Sequence, residues 1–132
     1  MRVLALDYGA ARCGVAVSDP TGTLATPLDP VLKPGTKKGL QRLSELVDEL
    51  DAERIVVGLP VSLGGGDSAQ TSETRQFADR LRAAVDVPVE LYDERFTTSL
   101  AEQAGGTASL DSRAAAILLD EWLMIRRPPA DR

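Results

Sequence analysis

Asp7, Asp93, Glu94 and Asp111 are the residues of this chain whose types and placement point to chemistry. Asp7 closes an apolar run, VLALD, that otherwise reads as buried core. Asp93 and Glu94 close a second run, VELYDE, and Asp111 opens the last helical segment. Histidine is absent from all 132 residues, which excludes Ser-His and Cys-His dyads and every His-ligated metal site. Cys13 is the single cysteine, so an internal disulfide and a Cys-rich zinc site are excluded, and its apolar neighbours mark it as a packing residue. Acid/base or metal chemistry therefore falls to carboxylates, lysine, tyrosine and hydroxyls, and oxygen ligands suit Mg²⁺ or Mn²⁺. Carboxylates held close together raise one another's pKa unless cations lie between them. Two divalent ions roughly 3.5 to 4 Å apart resolve that conflict, activate water and hold a scissile phosphate for in-line displacement. Each acid also has a plain structural reading. Asp7 can open the turn before Gly9, Asp111 can cap the last helix, and Asp93-Glu94-Arg95 can be a surface ion pair.

For the acids to meet, the elements that carry them must share one edge. Residues 2–8 and 13–19 are short apolar runs joined by a loop containing Gly9 and Arg12, the spacing of two adjacent antiparallel strands. Residues 24–32 carry two prolines and read as an edge or irregular strand. From Thr36 to about Leu50 the period changes, with Leu40, Leu43, Val47 and Leu50 on one helical face. RIVVGLP, residues 54–60, is a buried strand, and SLGGGDS, residues 62–68, a loop. A second helix spans roughly 70–85 with Phe77, Leu81 and Val85 inward. A strand follows at 88–94, then a short helix at 97–104, the linker 105–109, and a final helix from near Asp111 to before Pro128.

The order β-β-β-α-β-α-β-α-α implies an α/β fold: a mixed five-stranded sheet flanked by helices, antiparallel in its first three strands and parallel later. Sites in such sheets lie beyond the carboxyl ends of the parallel strands. With the first strand central, Asp7, Asp93-Glu94 and Asp111 converge on that edge. Ser62, Ser68, Thr71 and Ser72 near the glycine-rich loop are candidate phosphate contacts, or simply keep the loop soluble.

Composition bounds the rest. A length of 132 residues, 43% hydrophobic and 27% charged, suits one globular domain over 1–132 and excludes a disordered or fibrous chain. No long apolar stretch or secretory pattern is present, so a cytoplasmic protein without membrane contact is expected. The net charge of -5 argues against coating nucleic acid by bulk attraction, yet permits an acidic centre within a local basic rim. Arg2, Arg12, Lys33, Lys37 and Lys38 are the rim candidates, with an ordinary solvated surface as the alternative.

Several stretches together, ALDYGAARCGVAVSD, ATPL at 25–28, IVVGLPVSLGG at 55–65, FADRL at 77–81, YDERFTT at 92–98 and LDSRAAAILLDEWL at 110–123, resemble the YqgF family, also called RuvX, in order and spacing. The resemblance implies a ribonuclease H-like fold and a metal-dependent nuclease, acting in 5′-end maturation of pre-16S ribosomal RNA or as a Holliday junction resolvase on branched DNA. It implies Asp7, Glu94 and Asp111 as catalytic metal ligands. Asp93 is the substitute for Glu94, since adjacent strand residues face opposite sides. Arg12 or Arg95 would contact the phosphate, with Lys37 and Lys38 as further nucleic-acid contacts. Partners implied are structured nucleic acid or a ribosomal precursor, and the chain would act as monomer or homodimer. The connection 105–109 is shorter than the family's usual, often basic one, which puts junction grip in doubt.

Two other classes compete. Actin- and sugar-kinase-like ATPases also begin with an Asp-x-Gly hairpin around phosphate, but need two such domains about the nucleotide. A noncatalytic ribosome-assembly module would bind RNA without metal-dependent turnover.

Overall fold

Five strands and three helices make up the described residues of the computed structural model, 1–59, 69–93 and 110–126. β1 (Val3–Asp7) is apolar on both faces because both are covered. Val3, Leu4, Ala5 and Leu6 are fully buried, as expected of a central strand. β2 (Arg12–Ser18) returns antiparallel, with Leu6 opposite Val15 and Asp7 opposite Gly14. β3 (Ala25–Leu32) pairs with β2 at the sheet edge, the position that its prolines require. The register shifts between Cys13 and Val15, where Asp29 and Pro30 interrupt the ladder.

α1 (Lys37–Glu49) begins at Thr36, whose hydroxyl accepts the Gly39 amide at 3.1 Å and donates to Lys33 O at 2.7 Å. β4 (Arg54–Leu59) and β5 (Val89–Asp93) pair parallel, and β4 pairs parallel with β1, giving the order β3-β2-β1-β4-β5. α2 (Ala69–Ala84) joins them. α3 (Leu110–Arg126) closes the described chain.

The sheet has two covered faces. Leu4, Leu6, Val15, Ile55 and Val57 meet Leu43 and Val47 of α1 and Phe77 and Leu81 of α2. On the other face Val3, Ala5, Ala16 and Val56 meet Ala115, Leu118, Leu119, Trp122 and Leu123 of α3. Those helix positions recur at three- and four-residue steps, and each large side chain contributes about 1.5–3 kcal/mol by leaving water. The alanines on both sides let α3 lie close on the strands. Trp122 Nε1 donates to Glu90 Oε2 at 2.6 Å, and Glu90 Oε1 is 3.3 Å from Arg54 Nη1, which pins α3 across β4 and β5.

The expected alternation, the central first strand and the proline-bearing edge strand are all present, with ends moved by a residue or so. α3 starts at Leu110, so Asp111 lies inside the first turn and not at the cap position. Cys13 is fully buried in the core, as a packing residue should be. The expected loop 62–68 and short helix 97–104 lie outside the described residues. Among the described residues no helix is long and apolar enough to cross a membrane.

Candidate active site

Asp7 sits at the carboxyl end of the central strand. The two-residue period of β1 carries Val3 and Ala5 onto the α3 face, and Asp7 follows them there, half-buried. Directly opposite is Gly14, which presents no side chain against it. The chain then turns through Gly9, where an added Cβ would lie 2.7 Å from the Arg12 carbonyl oxygen. Only glycine lets the turn pass so close to its own returning strand.

α3 is held to this edge by its first turn. Ser112 is fully buried and its hydroxyl accepts the Val15 amide at 3.3 Å, at the point where the β2–β3 ladder is interrupted. Asp111 immediately precedes Ser112, and Val15 immediately follows the Gly14 that pairs with Asp7. The backbone of Asp111 therefore stands beside the strand end that bears Asp7. Asp93 ends β5 opposite Leu59 of β4. β5 lies two strand spacings from β1, about 10 Å. Glu94 and Arg95 lie outside the described residues, as do Ser62 and Ser68. Among the described residues no group of three or more Asp, Glu, Cys or His side chains comes together.

Arg12 is exposed at the start of β2. The Lys33 amide donates to Ala11 O at 2.9 Å, which sets Lys33 beside it. Lys37 and Lys38 are exposed in the first turn of α1 at the same edge. Arg2 is not part of this rim. It sits at the start of β1, the opposite end of the strand from Asp7, where its guanidinium donates to Leu50 O at 3.2 Å. Thr71 is buried within α2, whereas Ser72 is exposed.

Three residues of this edge escaped sequence reasoning. Tyr8, next to Asp7, stacks on Phe77 with ring centroids 4.4 Å apart and 24° between planes. Its hydroxyl donates to Glu73 Oε1 at 3.1 Å. Burial, and then the Glu73 carboxylate, raise the phenol's pKa above its ordinary value. Arg80 donates to Gly35 O at 3.3 Å, which brings a further cation to the start of α1. The signal available was helical spacing: 73, 77 and 80 lie on one face of α2.

All three helices begin at this edge, so their amide-bearing, positive ends point toward it. Basic side chains and helix amino ends gathered at one edge favour an anion such as a phosphate there.

Known proteins share this sequence pattern and fold. The family described as "RuvX: Holliday junction resolvase" matches residues 1–125. A protein of Chloroflexus aurantiacus is 37% identical over 98% of this chain and 91% of its own length. A protein of Mycobacterium ulcerans is 41% identical over 96% of this chain and 80% of its own. Each is named "Putative pre-16S rRNA nuclease". Among solved structures, the T. thermophilus RuvC in complex with Holliday junction substrate superposes with a TM-score of 0.64 at 17% identity, covering 96% of each chain. The Fowlpox virus resolvase with Holliday junction DNA superposes at 0.59 and 12% identity, covering 97% of this chain and all of that one. The fold is ribonuclease H-like. With its sequence matched from residue 1 to 125 and its central strand, acidic strand end and packed last helix in this arrangement, the chain belongs to the RuvX family of nucleases.

Proposed function

We propose that this chain hydrolyses phosphodiester bonds in structured RNA with the help of divalent metal, in the 5′-end processing of pre-16S ribosomal RNA in the cytoplasm. The observation that carries the reading is Asp7. It is a half-buried carboxylate ending an otherwise apolar central strand, opposite a glycine and beside the first turn of α3, in a chain with no histidine.

The donor set fits a hard cation. Asp7, Glu94 and Asp111 offer only oxygen, the ligand class of Mg²⁺ and Mn²⁺. These three residues would hold the metal, which when bound supplies a nucleophilic water and neutralises charge at the scissile phosphate. Glu94 is preferred to Asp93 on strand period. Glu90 and Tyr92 both contact the α3 side of the sheet, and Glu94 is the next acidic position in that series. Arg12 and Arg95 would contact the phosphate, while Lys37 and Lys38 would hold the strand leading to it. Ser112 keeps the turn that bears Asp111 on β2.

A second reading, resolution of four-way DNA junctions, is favoured by the family's description and by the whole-chain likeness to RuvC. One experiment separates the readings. A precursor 16S RNA fragment and a synthetic four-way junction are incubated with the wild type and Asp7→Asn, each with Mg²⁺, Mn²⁺ or chelator. RNA cleavage that is lost with chelator and in the variant is the expected result. Junction cleavage alone would move the assignment to branched DNA. RNA binding without turnover would replace the enzyme with an assembly factor.

A further inference from the structure

The β1–β2 turn has its own fastening to α2. Tyr8 is the first residue beyond the last ladder pair of β1, Asp7 with Gly14. Its ring continues the Leu4–Leu6 side of the strand and lies on Phe77, which is buried beneath it. The phenol reaches one turn back along α2 to Glu73. It is also lodged against the loop before α1, since a Cβ added to Gly35 would stand 3.6 Å from the Tyr8 hydroxyl oxygen and 3.7 Å from Arg80 Nη1. Asp7 is thus bracketed, by the ladder on one side and by an anchored aromatic ring on the other.

We infer that the Tyr8–Glu73 hydrogen bond, with the Phe77 stack beneath it, is a positioning device that locks the turn after Asp7 to α2 and so sets the direction of the Asp7 carboxylate. The inference rests on the nuclease reading of Asp7. Neither Tyr8 nor Glu73 touches the substrate in this scheme; they act through Asp7.

The test uses the whole chain with Tyr8→Phe, Glu73→Ala, Glu73→Gln and the double variant Tyr8→Phe/Glu73→Ala. Phenylalanine keeps the stack, so folding is preserved while the link is cut. Glutamine keeps an acceptor oxygen for the phenol. Cleavage kinetics and amide hydrogen exchange of Gly9, Ala10 and Ala11 are measured together. Tyr8→Phe and Glu73→Ala are expected to lower kcat roughly three- to tenfold with KM unchanged, the scale of a lost hydrogen bond to a charged group at a partly solvated position. The double variant should be no worse than either single one, because both cut the same link. Glu73→Gln should restore kcat toward the wild type, and exchange in the turn should quicken wherever kcat falls. Equal kcat and equal exchange in Tyr8→Phe and wild type would overturn the inference. So would a loss confined to Tm, or additive losses in the double variant. If the wild type cleaves neither nucleic acid, the nuclease reading fails by itself. The exchange data then decide the fastening, with unchanged exchange in Tyr8→Phe refuting it.

Discussion

Replacing Gly39 by alanine tests whether the start of α1 is placed as described, because two effects of opposite sign compete there. Glycine inside a helix costs about 1 kcal/mol relative to alanine, so propensity alone makes Gly39→Ala stabilising by that amount. Packing says otherwise. A Cβ on Gly39 would stand 2.2 Å from Lys33 O, 2.6 Å from Pro34 Cα and 2.8 Å from Pro34 C. All three are backbone atoms, with no flexible side chain to swing aside. Relief requires α1 to move outward by about 1 Å, which draws Leu43 and Val47 from the core and strains the Thr36–Gly39 capping bond. Overpacking of this kind costs typically 1–3 kcal/mol and more against rigid neighbours, so a net loss of about 2 kcal/mol is expected. For a domain of this size that lowers Tm by about 8 °C. Urea unfolding of both proteins gives the free energy, and an unchanged slope confirms that the same surface is exposed. A Gly39→Ala variant as stable as the wild type, or more so, would refute the close approach between the 33–34 backbone and α1. It would also remove the reason for placing Lys37 and Lys38 beside Lys33.

Three further outcomes follow from other parts of the molecule. Lys37→Ala/Lys38→Ala should weaken RNA binding with fold retained. It should flatten the dependence of log affinity on log salt by about 2 if each lysine neutralises one phosphate, read by fluorescence anisotropy over a salt series. Trp122→Phe keeps an aromatic ring in the α3 face but leaves Glu90 Oε2 without its indole donor, so a loss of about 1–3 kcal/mol in denaturant unfolding is expected. Asp19 accepts from the Thr21 hydroxyl and from the Leu24 and Thr23 amides, bonds that hold its carboxyl well below the usual range. Its contribution is therefore present above the unfolded carboxyl pKa near 4 and lost as pH falls through the lower folded value. Asp19→Ala should lower Tm at pH 7 by a few degrees and by progressively less toward strong acid, as a calorimetric pH series would show.

What the sequence made legible, it did through period and exclusion. β1 reads as central because its apolar run has no alternation, and Asp7 stands out against it for the same reason. α1 and α2 are marked by three- and four-residue steps, and the prolines assign β3 to an edge. The absence of histidine directs metal chemistry to the acids without any coordinates. Other features depend on partners distant in sequence. The Tyr8–Glu73 contact joins residues 65 positions apart. Gly39 looks like an ordinary helix blemish until the Lys33–Pro34 backbone is seen against it. Arg2 resembled its basic neighbours in the chain, but strand direction carries it to the opposite edge from Asp7. Asp111 reads equally as a cap or as a ligand, since an aspartate before an apolar helix is a natural cap, and the helix itself starts a residue earlier.

The net charge of -5 and a polyanionic substrate are reconciled by where the charges lie. Each of the described helices begins at the Asp7 edge, so its amino end and the residues Arg12, Lys33, Lys37, Lys38 and Arg80 gather on that side. The described helices end at the other side, and there Asp48, Asp51, Glu53 and Asp86 border a shallow cavity of about 410 Å³ between α1 and the chain leaving α2. α1 alone is 13 residues long, about 20 Å, which separates the two charge groups. At physiological salt the Debye length is about 8 Å, so the acidic end is screened from a phosphate at the basic edge while the lysines and arginines there are not. A nucleic-acid strand arriving at the Asp7 edge therefore meets the local cations and not the net charge.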